Sequence, residues 1–391
     1  MKIKIYFLPQ FFSGRLFQIT FVCALLTCTS LKAQLPAAQQ ISAKMNVGIN
    51  LGNTLEAICG ESAWGATTTT QRLIDSIKVA GFNAVRLPCA WFCHSDTINN
   101  VIKAAWIARV KEVVDYCIKD SLYTILNIHW DQGWLDAHIK AADSARVISR
   151  QRDYWTQIAN YFKNYDGHLL FASANEPPAK DTLGMSILLI YHQTFIDAVR
   201  ATGGNNSSRT LVVQGPSTDI DLTNRLMNKM PTDRIANRLI MEVHYYTPYQ
   251  FCLMEKDANW GKMFYYWGKD NHSTTDVTHN STWGEESDVE KFFGYMKTKF
   301  VDKGIPVIIG EYGAYKRKLS PPSDQSLNNA SVEYYHNYIV KSSTSKRIVP
   351  FFWDTPGGLF NRSTGAIHDR SILKAIMDGN KAVTNNINIS K

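Results

Sequence analysis

The sequence predicts an α/β protein built as one (β/α)8 barrel. Three observations carry that expectation. Short apolar, β-branched runs alternate with stretches of helical periodicity, eight times over, along 391 residues. Strands that alternate with helices pair in parallel through right-handed crossovers. At 45% hydrophobic and 19% charged residues, the chain also has the size and composition of one barrel-sized globular domain. The rival is an open doubly wound sheet, but no Gly-x-Gly-x-x-Gly follows the first strand, so its commonest cofactor signature is missing.

In chain order, Lys2, Lys4 and Arg15 precede an apolar run from Phe17 to Leu26, and Ala33 closes the segment. Basic start, short apolar middle and small final residue read as a secretory signal over 1–33, too short for a comfortable membrane span. A polar linker, 34–44, follows. The barrel is expected over 45–380 and a short polar tail over 381–391. Strands are expected near 46–51, 82–88, 122–128, 168–174, 209–214, 238–244, 305–310 and 348–353. Helices are expected near 69–80, 103–119, 146–164, 184–202, 219–229, 286–301, 326–342 and 371–378. Pro88, Gly167, the Gly203-Gly204 pair and Gly304 punctuate these elements as turn residues. One connection is anomalous: Tyr245 to Gly284 runs roughly 40 residues without clear periodicity, beyond the usual loop length. It is dense in Tyr, Phe and Trp, so some rings should pack it down and a minority should face a ligand.

In such a barrel the chemistry sits at the C-terminal strand ends. Those ends read Arg86-Leu87-Pro88, Asn127-Ile128-His129-Trp130, Asn175-Glu176-Pro177, His244-Tyr245-Tyr246, Glu311-Tyr312-Gly313 and Trp353. Two strands each deliver a glutamate at their exit. A carboxylate is costly to bury unless the fold pairs or uses it, so Glu176 and Glu311 are the expected catalytic pair. By strand alternation Glu242 should face inward beside His244. Asp131, Asp354, Asn50 and Asn53 are candidates for supporting roles. Trp64, Trp91, Trp130 and Trp134 lie on early loops and are candidates for outer binding positions.

Net charge is +8, but residues 1–33 hold four bases and no acids, leaving +4 for the remainder. That is weak evidence for a nucleic-acid partner, and none is expected. Five cysteines lie beyond the signal: Cys59, Cys89, Cys93, Cys117 and Cys252. The odd number leaves at least one free thiol in a monomer, the favoured state; Cys59 and Cys93 could pair across neighbouring loops. Neither a Cys-x-x-Cys nor a His-Glu-x-x-His spacing occurs, so no metal and no other cofactor is expected.

Taken together, Gly52-Asn53-Thr54, the run Gly81 to Pro88, Asn127-Ile128-His129, Asn175-Glu176-Pro177, His244-Tyr245-Tyr246, Ile309 to Gly313 and Phe352-Trp353 resemble glycoside hydrolase family 5. Members are retaining β-glycosidases on a TIM barrel. The resemblance implies Glu176 as general acid/base and Glu311 as nucleophile. It implies that Asn175 binds the sugar 2-hydroxyl and that Arg86 and Tyr246 hold Glu311. It further implies that His129 and His244 contact the reacting sugar or the acid/base, and that Trp353 is that sugar's platform. The His244 to Tyr249 stretch is similar to the cellulase-like branch, which implies a secreted endo-β-1,4-glucanase acting on a polysaccharide. Endo-action on β-mannan, xyloglucan or mixed-linkage glucan, and a non-cleaving glycan-binding barrel, are the alternatives.

Overall fold

A computed structural model describes residues 1, 4, 34–321 and 323–389, with side chains to 382 in the last helix. The segment read as a secretory signal lies, apart from residues 1 and 4, outside the described residues. Eight parallel strands close into a TIM barrel: β1 (Gly48–Leu51), β2 (Ala84–Leu87), β3 (Tyr123–Asn127), β4 (Leu169–Ala172), β5 (Leu211–Gln214), β6 (Leu239–Tyr245), β7 (Val307–Tyr312) and β8 (Ile348–Asp354). Each pairs with its sequence neighbours, and β1 closes on β8 with Gly48 opposite Phe351. The open-sheet alternative is thereby excluded.

Helices follow the strands as expected: Gln71–Val79, Ala104–Lys119, Ser144–Phe162, Thr182–Ala201, Ile220–Leu226, Glu286–Lys299, Gln325–Ser345 and Arg370–Ile389. Their apolar stripes bury against the strands; Leu73, Ile74 and Ile77 of the first are 1% exposed or less. Aspartates start several of them. Asp181, Asp219 and Asp324 accept backbone N–H groups of Gly184, Leu222 and Leu327 at 2.7, 2.7 and 2.9 Å. The last helix runs well past residue 378, through most of the stretch expected to be tail.

The core has two parts. An outer layer lies between strands and helices. Inside the barrel, Ala84, Ile125, Leu170, Val212, Ile240, Ile308, Val349 and Phe351 form a smaller cluster. The expected linker belongs to it: helix Ala38–Ser42 sends Ala38 and Ile41 into the barrel base, together with Met45. Arg238 Nη1 fixes the approach by donating to the carbonyls of Leu35 and Pro36, 2.5 Å each. Composition hid this, because only two apolar side chains among polar ones do the plugging.

The aromatic segment after β6 folds onto the barrel. Phe251, Phe264, Tyr266 and Trp267 are buried, whereas Tyr249, Trp260 and Trp283 are exposed. Trp267 Nε1 donates to the Gly284 carbonyl at 2.9 Å, and its ring packs on Tyr334, Tyr335 and Tyr338 of the seventh helix. Packing thus orders a stretch that has little regular structure of its own.

Candidate active site

Strand alternation alone would turn Glu311 the wrong way. In β7, Val307 and Ile309 face the outer layer and Ile308 the barrel interior, so position 311 should face outward. The register breaks there. Val243 pairs with Ile309, but the next pair is His244 with Glu311, leaving Gly310 as a bulge. The extra residue turns Glu311 into the mouth, where its side chain is 7% exposed. Gly310 has to be glycine, because a Cβ there would lie 2.0 Å from Glu242 Oε1.

Around Glu311 the fold gathers polar groups from four other strands, two of them donating to its carboxylate directly. Arg86, at the end of β2, places Nη1 2.8 Å from Glu311 Oε1. Tyr246, just past β6, donates its hydroxyl to Oε2 at 3.1 Å. The same guanidinium reaches Asn50 Oδ1 of β1 at 3.0 Å through Nη1 and Asn175 Oδ1 at 2.8 Å through Nη2. Its Nε forms an ion pair with Glu242 at 2.9 Å. Arg86 is fully buried, with both terminal nitrogens hydrogen-bonded and Nε held in ion-pair contact. Asn50 also donates to the Gly310 carbonyl at 2.8 Å, tying the bulge to β1.

Glu176 stands across from Glu311 on the loop after β4. Its side chain is 46% exposed, open to the cleft. Oε1 meets His244 Nδ1 at 2.7 Å, and Thr218 Oγ1 donates to it at 3.5 Å. Ligand atoms of Glu176, His244 and Glu311 lie within 4.8 Å of one another. Among the described residues this trio has the spacing to hold a metal ion, yet electrostatics favour an ion-pair cluster. Burial pulls His244 down, but the charge of Glu311 and hydrogen bonds to Glu176 and Glu242 outweigh it and raise the imidazole to about 9. A doubly protonated imidazole donates and does not ligate.

The carboxyls respond oppositely. Burial pushes Glu311 up, and the charges of Glu176 and Glu242 add to this against His244 and Arg86. Enclosure also pushes Glu176 up, but the His244 hydrogen bond and the charges of His244 and Arg86 prevail and hold it below the usual range. Without substrate, then, the proton an acid at position 176 would need resides on the His244 side of their hydrogen bond.

His129, past β3, stacks on Trp353 with centroids 5.7 Å apart and planes at 12°. Burial and the charges of Arg86 and His244 hold its imidazole well below the ordinary value, so it is neutral. Trp353 ends β8 half-buried. Gly52 lets its ring lie close: a Cβ at residue 52 would sit 2.8 Å from Trp353 Cε2. All eight expected site residues therefore meet at one barrel mouth.

Other candidates part company. Trp91 and Trp134 are buried, at 0% and 4%, and serve packing; Trp64 and Trp130 remain exposed. Asp131 is structural, accepting the backbone N–H of Trp91 and Phe92 and the Trp134 indole at 2.8–2.9 Å. Asp354 ties down the loop after β8 through the Leu359 N–H at 2.5 Å and Arg362 at 3.3 Å. Sequence reasoning missed Asp136 and Thr218. Asp136 is buried and raised to about 8, by burial first and then by the Glu176 charge, and it accepts the Glu176 backbone N–H. It sits in an irregular loop, where no periodicity marks an inward residue.

A closed parallel barrel whose mouth holds two opposed glutamates, a buried arginine beneath them and an aromatic platform has the constitution of a glycoside hydrolase. The Cellulase family profile (glycosyl hydrolase family 5) matches residues 44–357, and the chain belongs to that family. The xyloglucan-specific endo-beta-1,4-glucanase BoGH5A of Bacteroides ovatus is 36% identical over 366 residues, 88% of this chain and 70% of that protein. Endoglucanase A of Paenibacillus barcinonensis is 32% identical over 373 residues, covering 88% and 90%. The crystal structure of XEG5B, a xyloglucan-specific beta-1,4-glucanase from a ruminal metagenomic library, superimposes with a TM-score of 0.81 at 43% identity, covering 89% of this chain and 97% of that one. The protein is accordingly an endo-β-1,4-glucanase-type glycoside hydrolase.

Proposed function

We propose that the protein is a secreted, retaining endo-β-1,4-glucanase in which Glu176 is the general acid/base and Glu311 the nucleophile. The observation that carries the reading is the approach of the two carboxylates, with oxygens within 4.8 Å. Retaining enzymes hold their carboxyl groups about 5–5.5 Å apart, whereas inverting ones leave room for a water. Glu311 attacks the anomeric carbon while Glu176 gives its proton to the departing glycosidic oxygen, and a glycosyl ester forms. Glu176, now a carboxylate, takes a proton from water as the water oxygen attacks the same carbon, and Glu311 is released.

Each neighbour has a part in this scheme. A glucan chain entering the cleft covers the exposed side of Glu176, and the lost hydration favours its neutral form. The proton on His244 Nδ1 then passes across the 2.7 Å hydrogen bond. Asn175 has its carbonyl oxygen taken by Arg86, leaving the amide nitrogen to donate to a 2-hydroxyl. Neutral His129 can donate to or accept from hydroxyls, and Trp353 offers a flat apolar face to the ring.

A second reading, endo-action on xyloglucan, draws on a cavity of about 360 Å³ beside Tyr246 and Trp353, walled by Gly313, Tyr315, Gly357 and Leu359. A linear chain on the platform does not need that lateral room; a glucose bearing a pentosyl branch would. Two of the relatives named above are xyloglucan-specific. Initial rates on carboxymethyl cellulose, mixed-linkage β-glucan, xyloglucan, mannan and xylan test both readings. Highest rates on a β-1,4-glucan backbone are expected. Xyloglucan above all others would establish the second reading, and preference for mannan or xylan would overturn both.

A further inference from the structure

The catalytic scheme leaves the buried carboxylate nearest its centre, that of Glu242, without a part. Glu242 lies in β6, two residues before His244, and is 0% exposed. A carboxylate in such a place is stabilising only when fully paired, and every neighbour of Glu242 belongs to the site or its floor. Oε1 is 2.9 Å from Arg86 Nε and 3.3 Å from His244 Nε2. Oε2 accepts Gln214 Nε2 of β5 at 2.5 Å. Its carboxyl fills the space left by the missing side chain at Gly310. It touches neither cleft nor solvent, so it cannot meet a substrate.

We propose that Glu242 is a positioning residue that clamps the Arg86 fork toward Glu311 and keeps His244 doubly protonated in the resting enzyme, so that Nδ1–H faces Glu176 until substrate enters. This rests on the assignment of Glu176 as acid/base. The groups facing His244 are Glu176 from the loop after β4, Glu311 from β7 and Glu242 from its own strand, with Arg86 on the far side of Glu242 and neutral His129 farther off. Of these, Glu242 alone contacts Nε2; Glu176 and Glu311 approach Nδ1, at 2.7 and 3.7 Å. With an anion at Nε2, both ring nitrogens keep their protons. With a neutral amide there, Nε2 can become an acceptor, and the proton needed at Glu176 is lost at lower pH. Glu242 thus sets the alkaline edge of activity from a position the polysaccharide never reaches.

The test compares kcat/KM against pH for the native enzyme and Glu242→Gln on a soluble β-glucan. The alkaline limb should move down by about one pH unit or more, with the acid limb unmoved. Glu242→Asp, which keeps the charge, should restore much of the native limb. A Glu242→Gln profile lower at every pH but unshifted would mean that Glu242 only supports the fold, and would overturn the inference. Should that variant not fold, nitrogen-15 histidine NMR of the native enzyme and of Glu242→Asp tests the premise, a doubly protonated His244 that depends on the reach of the carboxylate at 242. A doubly protonated imidazole persisting above pH 8 in the native enzyme, absent from His244→Asn and lost at lower pH in Glu242→Asp, is expected. Complete deprotonation of every native histidine by pH 7.5, or an unshifted titration in Glu242→Asp, overturns the inference. The NMR arm does not depend on catalysis, so it stands apart from any failure of the acid/base assignment.

Discussion

Arg86 Nη1 and Glu311 Oε1, from strands on opposite sides of the sequence, meet at 2.8 Å inside the barrel mouth. The pair has no water to fall back on, so its loss is felt twice. Arg86→Ala leaves the buried Glu311 and Glu242 sharing His244 as their cationic neighbour and should cost about 3–5 kcal/mol of stability, read by denaturant unfolding. Arg86→Lys keeps the charge but not the fork. It should unfold near the native midpoint while kcat falls about 100-fold or more.

Azide separates the two glutamates. On a dinitrophenyl cellobioside, which needs little protonation to depart, Glu176→Ala should form the glycosyl ester and stall. Added azide should then release a β-glycosyl azide. Glu311→Ala should instead give the α-azide by direct attack. Product NMR distinguishes them; the opposite stereochemistry would exchange the two roles.

Gly310→Ala should be among the most damaging small substitutions in the chain. The added methyl meets Glu242 Oε1 at 2.0 Å, and both groups are enclosed. Activity should fall at least about 100-fold, with a loss of roughly 1–3 kcal/mol in stability. Gly294→Ala, on a helix where a Cβ meets nothing within 4 Å, is the control and should be neutral or slightly stabilising.

Stability should peak at mildly acidic to mildly alkaline pH, from opposite histidine contributions. Burial lowers His192 and His336 to about 4. Their contributions are fully present above the ordinary value of 6.5 and are lost as pH falls toward 4. His244, raised to about 9 by its carboxylates against burial, contributes fully below 6.5 and loses its contribution as pH rises through 9. Each is worth roughly 1–3 kcal/mol. Urea midpoints across pH 4–10 should trace the resulting dome, and a flat profile would contradict it.

Exhaustive chelation should leave kcat/KM within about twofold of the untreated enzyme, because the two carboxylates suffice for the chemistry. Loss of activity under chelator, restored by zinc with the fold intact, would give the Glu176–His244–Glu311 cluster a different meaning.

The sequence exposed the strands because eight apolar runs recur at regular spacing, and it exposed the site because barrel chemistry gathers at strand ends. Glu176, Glu311, Arg86 and His244 were legible for that reason. Two things were not. The inward aim of Glu311 depends on a bulge, which contradicts the alternation that serves elsewhere; only the glycine before it hints at the break. The fates of Trp91 and Trp134 against Trp64 and Trp130 were set by loop packing, and no local pattern separates a buried from an exposed tryptophan there. Helix Ala38–Ser42 escaped because its two buried residues make too short a stripe for periodicity to register.

That small plug also gives the molecule a direction. Leu35 donates its N–H to Ser208 Oγ at 3.2 Å, and Ala38 to the Asn237 carbonyl at 2.9 Å, both just before strands begin. The chain therefore enters the barrel on the face opposite the cleft. A tether, bead or fused module attached just ahead of Leu35 would hold the enzyme mouth-outward. Immobilisation through that end should leave long polymers as accessible as short oligosaccharides, whereas coupling through the exposed Trp260 turn should penalise the polymers first.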